Sequence, residues 1–407
     1  MTRTDLPGPL LRRGPRPLLL HLTLAMLRSS VSRAGLPNWK GGWPTSSADI
    51  AEMVRTALAQ GEDAARQGSV VQETLRQDAA LIEGIAAYRR HPWRRELPDP
   101  PEVWAEGGSR LLDYGAPGGG TGPAVLFVPS LVNRAYVLDL APGHSMLRWL
   151  AANGMRPLLL DWGWPGETER RFTLTDYVAG RMERAMIAAR DLSGGPTVLA
   201  GYCMGGTLAV AAAQRRPDLV RALALLAAPW EFHAPEPERA KQAAAMLPFV
   251  EPMLAFSHTL PVDLLQVLFA MLDPWGVADK YRSFARLDPE TDRARLFVAL
   301  EDWLNDGIPL VAPVARECLT GWYGDNTPAR GEWCIAGLPV DPTTLHLPTF
   351  VAAPGRDRIV PPESARPLAS LIEGAVLHEP AAGHIGMAAG QTAERVLWQP
   401  LRDWVVG

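Results

Sequence analysis

The stretch Thr197–Gln214, TVLAGYCMGGTLAVAAAQ, constrains this chain more than any other. A short β-branched, apolar run ends in Gly201-Tyr202-Cys203-Met204-Gly205-Gly206, and an alanine-rich segment of helical character follows at once. The pattern reads as strand, tight turn and helix, with a cysteine where the nucleophile elbow G-x-S-x-G has serine. Side chains at positions 201 and 205 would collide with the neighbouring strand and helix, so glycine is required there. Cys203 is then held at the carboxyl edge of a sheet, above a helix N-terminus that favours its thiolate. A small buried cysteine in a glycine-rich turn fits the same five residues, so the rest of the chain must decide.

Around this stretch, short apolar runs alternate with helical patterns. Ser109–Tyr114, Ala124–Pro129, Pro157–Trp162, Arg221–Ala228, Thr349–Ala353 and Ala375–Glu379 read as strands. Helices are predicted around Ser145–Ala152 with Gly154 closing it, over Thr173–Leu192 with a capping-box start at Thr173 and Asp176, and over Ala393–Val405. This order predicts an α/β fold with a mainly parallel sheet. Residues 1–100 lack strand alternation and read as a helical extension, with Ile50, Met53, Val54 and Leu58, then Leu75, Ala79, Ile82 and Ile85, at helical spacing. The core runs over 101–229 and resumes over 348–407. Between them, 230–347 is aromatic- and proline-rich and too long for a loop, so it is expected to be a cap or lid that excludes water and shapes the substrate pocket.

Forty basic against 44 acidic residues give a formal charge of −4 and no electrostatic footprint for nucleic acid. Three cysteines, Cys203, Cys318 and Cys334, make neither a disulfide framework nor a paired C-x-x-C metal site. A reducing cytoplasm fits, and no cofactor or metal is expected. Leu18–Leu27, preceded by Arg12, Arg13 and Arg16, is too short to span a bilayer; it reads as a helix packed on the domain or one touching an apolar surface.

The α/β-hydrolase fold carries its triad in the order nucleophile, acid, histidine, the last two on loops after late strands. Asp357 follows the strand Thr349–Ala353, and His384 follows the strand Ala375–Glu379. Both fall at the same sheet edge as Cys203. A base must reach the thiol, and a carboxylate must hold the imidazole's tautomer, so Cys203, Asp357 and His384 form the candidate triad. His378 and His233 are rival bases. Asp357 also has the setting of a turn-forming residue after Gly355. The oxyanion hole is expected from the backbone N–H of Met204 and one near Leu131 or Val132, with Val132 preferred.

These residues together resemble a polyhydroxyalkanoate (PHA) synthase from about residue 101 to the C-terminus. The box Gly201–Thr207 resembles that family's G-Y-C-x-G-G-T. Pro129–Leu140, PSLVNRAYVLDL, resembles its P-P-x-[IV]-N-[KR]-[FY]-Y-[IV]-L-D-L; Leu160-Asp161-Trp162-Gly163 and Gly383-His384-Ile385 are similar to further family segments. Arg358 stands where the family has His after the acid. The resemblance implies polymerisation of (R)-3-hydroxyacyl-CoA into a polyester with release of CoA, the CoA thioester being substrate rather than cofactor. Cys203 would carry the acyl chain, His384 would act as base and Asp357 would orient it. It also implies a polyester granule surface as partner, and a homodimer or partner subunit; Arg134 is a candidate for the CoA phosphates. Two other functions fit parts of the pattern: a Cys-Asp-His thioesterase, esterase or polyester depolymerase, and a granule scaffold with an inactive synthase fold.

Overall fold

The computed structural model describes residues 12–33, 64–115 and 122–407. The helical positions Ile50, Met53, Val54 and Leu58, and most of the turn Ala116–Pro123, lie outside them. The described chain forms two compact units, one of 12–33, 64–94 and 269–305, the other of 95–115, 122–268 and 306–407.

The larger unit is built on an eight-stranded sheet: β1 (Glu102–Glu106), β2 (Ser109–Asp113), β3 (Ala124–Val128), β4 (Arg156–Asp161), β5 (Thr197–Tyr202), β6 (Val220–Leu226), β7 (Thr349–Ala352) and β8 (Val376–His378). Their spatial order is β1-β2-β4-β3-β5-β6-β7-β8. β1 and β2 form an antiparallel hairpin that continues antiparallel onto β4; every later pairing is parallel. All five residues of β3 and all six of β5 are buried, which is why their sequences are unbroken apolar runs rather than alternating ones. β1 is the strand the sequence did not mark: its burial pattern is mostly exposed, so it carries no apolar run.

Two of the predicted helix starts carry side-chain caps. The Ser145 side chain accepts from the N–H of Arg148, and Asn153 with Gly154, at φ +85°, ends that helix. Thr173 and Asp176 bond reciprocally, as a capping box does, although the first turns, Asp176–Met182, widen to a π-helix before Glu183–Ser193 becomes α-helical. The inserted residues Val250, Leu254, Leu260, Leu265, Leu310, Trp322 and Trp333 share one apolar core with the sheet, and Cys203 packs against it.

In the smaller unit, the helices Leu18–Arg33, Ala64–Arg90, Gly276–Phe284 and Asp292–Asn305 surround a core of Ala25, Leu81, Ile85, Tyr88, Tyr281, Phe284 and Val298. A Cβ on Gly84 would lie 2.0 Å from the Tyr281 carbonyl, so glycine permits this helix crossing. Helical spacing in Leu75–Ile85 is as expected, but the buried face is Leu81, Ile85 and Tyr88; Leu75 and Ile82 are exposed. The helix from Leu18 packs through Leu24 and Ala25 while Leu19 and Met26 face outward. Among the described residues no helix is long and apolar enough to cross a membrane.

Candidate active site

Cys203 sits between the end of β5 and the helix Met204–Arg215, at φ 57° and ψ −132°, a backbone region that non-glycine residues rarely occupy. The strained residue is held from both sides: its N–H donates to the Leu226 carbonyl at 2.9 Å, and its carbonyl accepts from the Gly206 N–H at 2.8 Å. The space around it is as tight as the motif requires. A Cβ on Gly201 would meet the Gly206 Cα at 2.4 Å, and one on Gly205 the Val128 carbonyl oxygen at 2.1 Å. A third glycine, which G-x-C-x-G does not include, is equally constrained: a Cβ on Gly206 would come within 2.4 Å of the Ala228 Cβ.

Asp357 and His384 reach the site on two loops stitched together by backbone hydrogen bonds. The Gly355 N–H donates to Pro380 at 3.0 Å and the Arg356 N–H to Ala382 at 3.0 Å, so the loops after β7 and β8 run side by side. The carboxylate Oδ2 of Asp357 then lies 2.6 Å from Nδ1 of His384, with both groups buried. The Cys203 side chain neighbours the same imidazole. Burial opposes a charged ring, but the neighbouring Cys203 and Asp357, with the hydrogen bond to Asp357, outweigh it and raise the His384 pKa to about 10. An imidazole held charged by a carboxylate beside a cysteine is the arrangement that activates a thiol for nucleophilic attack.

The rival histidines are engaged elsewhere. His378 Nε2 lies 2.7 Å from the Val396 carbonyl with its ring stacked on Phe350, and His233 Nε2 lies 3.0 Å from the Tyr323 carbonyl. Met204, the first residue of the helix, is at the N-terminus where an N–H is left over by helix geometry. The Val132 N–H donates to Ser130 Oγ at 3.2 Å, so its use as an oxyanion donor requires that hydroxyl to turn away. Arg134 Nε lies 4.0 Å from the Asp306 carboxylate.

Two supports for the site were not apparent from spacing alone. The Tyr202 ring lies 5.1 Å from that of His384, centroid to centroid, and its hydroxyl donates to the His384 carbonyl at 3.2 Å. Asp139, fully buried, accepts from Arg95, Arg148 and Tyr114, and so anchors the far end of the loop that begins at Pro129. The Y-C pair in the box and the L-D-L of the longer motif were the available signals; neither says what the side chain touches.

The sheet order and the elbow define a class, and the comparisons agree: residues 123–390 match the family described as alpha/beta hydrolase fold. A poly(3-hydroxyalkanoate) polymerase subunit PhaC of Haloferax mediterranei is 32% identical over 285 residues, covering 69% of this chain and 58% of the relative. Proteins of the same name from Allochromatium vinosum and Synechocystis sp. are 29% and 30% identical, each over 69% of this chain and over 80% and 77% of their own lengths. The chain belongs to the poly(3-hydroxyalkanoate) polymerase family of the α/β-hydrolase fold. It spans less than two thirds of the length of the relatives from Haloferax mediterranei and Haloarcula marismortui.

Proposed function

We propose that this chain is a polyester synthase that polymerises (R)-3-hydroxyacyl units from their CoA thioesters, with Cys203, His384 and Asp357 as its catalytic triad. The observation that carries the reading is a cysteine, not a serine, at the strained elbow, beside an imidazole that Asp357 holds at 2.6 Å. The Cys203 thiolate attacks the acyl carbonyl; the thioester C–S bond to CoA breaks, and the CoA sulfur takes the His384 proton. The acyl group now sits on Cys203 as a thioester, about as activated as the one consumed. The 3-hydroxyl of the next unit gives its proton to His384 and attacks that thioester, forming an ester and restoring the Cys203 sulfur. The Met204 N–H and one from the loop at Val132 are the proposed oxyanion donors.

Sulfur suits acyl transfer to an alcohol only if water is kept from the acyl-enzyme. In this reading, the part of the insertion that shares the apolar core with Cys203 does so. The CoA thioester is substrate, and no cofactor takes part. The proposed partners are a polyester granule surface and a second subunit, within the cytoplasm.

Purified protein is incubated with (R)-3-hydroxybutyryl-CoA while free thiol and insoluble polymer are followed together, beside Cys203→Ala and Cys203→Ser. Thiol release with polymer, lost in Cys203→Ala, is the expected result. Thiol release with only free hydroxy acid would make the chain a thioesterase and overturn the reading.

A further inference from the structure

The turn that delivers Asp357 to His384 also carries two guanidinium groups. Arg356 and Arg358 flank Asp357, and while the aspartate is buried, both arginines are exposed. Arg356 is fixed between the two residues of the acid–base pair. It precedes Asp357 in the chain, its N–H donates to the Ala382 carbonyl at 3.0 Å, and a Cβ on Gly383, next to His384, would lie 3.5 Å from its carbonyl oxygen. The backbone is held at the edge of the site, so the arginines reach outward from there by their side chains alone.

The carboxylates nearby do not claim Arg356. From the end of β7 to His384 the carboxylates other than Asp357 are Glu363, Glu373 and Glu379. Arg366 lies 2.6 Å from Glu379 and 3.7 Å from Glu363, and Glu373 faces His346 at 3.9 Å. Asp357 itself is taken by His384. The whole chain has a formal charge of −4, so a polyanionic substrate is repelled unless cations stand where it enters. Arg134, on the loop after β3, has its Nε 4.0 Å from the Asp306 carboxylate and only 22% of its side chain exposed.

The proposed reaction says which anion arrives. A CoA thioester is uncharged around the reacting carbonyl and carries its negative charge on phosphates a whole pantetheine arm away. Those phosphates stay at the rim when the acyl group reaches Cys203, and the guanidinium fork is the side-chain group that best matches phosphate oxygens. We propose that Arg356 and Arg358 hold the phosphates of the CoA thioester at the rim of the Cys203 site. The proposal rests on the synthase reading and deepens it by naming residues that recognise the CoA portion rather than the acyl group.

The test is isothermal titration of the full chain, in a Cys203→Ala background, with CoA and with pantetheine, which ends before the phosphates. The parent is expected to bind CoA at least tenfold more tightly than pantetheine. Arg356→Gln with Arg358→Gln weakens CoA binding by about tenfold, the scale of two charged contacts at an exposed site. Arg356→Lys with Arg358→Lys keeps both charges and most of the affinity. Arg221→Gln, an exposed arginine at the start of β6 and so at the opposite edge of the sheet, leaves CoA binding unchanged. Added salt weakens CoA binding more steeply in the parent than in the double-Gln variant.

Four results would overturn the proposal: a parent that binds CoA no more tightly than pantetheine, a double-Gln variant that binds CoA like the parent, a double-Lys variant that loses as much as the double-Gln one, or equal salt dependence in parent and double-Gln variant. The protein titrated lacks the nucleophile, so binding is read without turnover. Failure of the synthase reading is seen separately, as wild-type protein that releases CoA without polymer.

Discussion

The two oxygens of Asp357 do different work around His384. Oδ2 lies 2.6 Å from the His384 Nδ1, while Oδ1 accepts from the backbone N–H groups of Ile359 at 2.8 Å and Val360 at 2.9 Å. The turn-forming residue and the partner of the imidazole, which the sequence presents as alternatives, are one carboxylate. Its turn fixes the oxygen that fixes the imidazole.

Asp357→Asn therefore separates the two roles. The amide oxygen can still close the turn, but the amide N–H₂ then faces Nδ1 and imposes the wrong tautomer. CoA release is expected to fall by about 100-fold or more while the melting temperature stays close to wild type. Asp357→Ala loses both roles and should also be less stable by about 2 kcal/mol, the scale of hydrogen bonds to a buried charged acceptor. Paired thermal melts and initial rates for the two variants check this; equal melting temperatures for Asn and Ala would contradict the shared role.

The raised pKa of His384 makes stability depend on pH. Unfolded, its imidazole loses the proton near 6.5; folded, it holds it to about 10. Between these values the native state binds the extra proton, so stability falls as pH rises. The contribution of charged His384 is full below about pH 6.5 and is lost as pH rises through the folded pKa. Melting temperatures of wild type and His384→Gln, measured from pH 6 to 10, should converge toward the alkaline end. A difference that stays constant with pH would show that the imidazole is not held charged.

What the sequence disclosed and what it withheld follow from the range of the forces involved. Strands buried on both faces, such as β3 and β5, announce themselves as apolar runs, and the elbow announces itself because its backbone admits only glycine at 201 and 205. The candidate triad was legible as an order along the chain: strand ends place Cys203, Asp357 and His384 at one edge before any contact is known. Contacts across the fold were not. Nothing local to Tyr202 says that its hydroxyl meets the His384 carbonyl 182 residues away, nor does the sequence near Val132 say that Ser130 occupies its N–H. In Ala64–Arg90 the helical period was plain, but Leu75 and Ile82 are exposed where Leu81 and Tyr88 are buried; a helix apolar on more than one side does not reveal which side finds a partner.

The third glycine of the elbow offers a rescue experiment. Gly206→Ala brings two methyl groups to 2.4 Å, and the expected cost is about 1–3 kcal/mol with a matching loss of activity as the elbow shifts. Because the opposing atom is the Ala228 side chain, Ala228→Gly in the same molecule should restore much of both. Gly205→Ala meets the Val128 and Pro129 carbonyls, which are backbone at the root of the Val132 loop, so no side-chain change can relieve it. Denaturant melts and initial rates on the four variants check the contrast. Rescue of Gly205→Ala by Ala228→Gly would show that the strain is not local.

Asp139 tests whether the loop after β3 is held from its far end. Its carboxylate accepts from Arg148 Nε at 2.7 Å, Arg95 Nη2 at 2.8 Å and the Tyr114 hydroxyl at 3.1 Å, and it is fully buried. Burial first, then the Asp139 charge and hydrogen bond, push the Tyr114 pKa well up, so the phenol stays a donor at every working pH. Asp139→Ala strands two arginines and a phenol around an empty site. The expected loss is about 3 kcal/mol, the low end for a broken buried pair because both guanidinium groups still reach solvent. Asp139→Asn keeps the shape and part of the hydrogen bonding, so it should lose less. If the cluster serves the loop as well as the fold, Asp139→Asn, assayed well below its melting temperature, should show a lower kcat with little change in KM, because displaced oxyanion donors weaken the transition state more than substrate binding. Wild-type kcat in a destabilised Asp139→Asn would confine the cluster to folding.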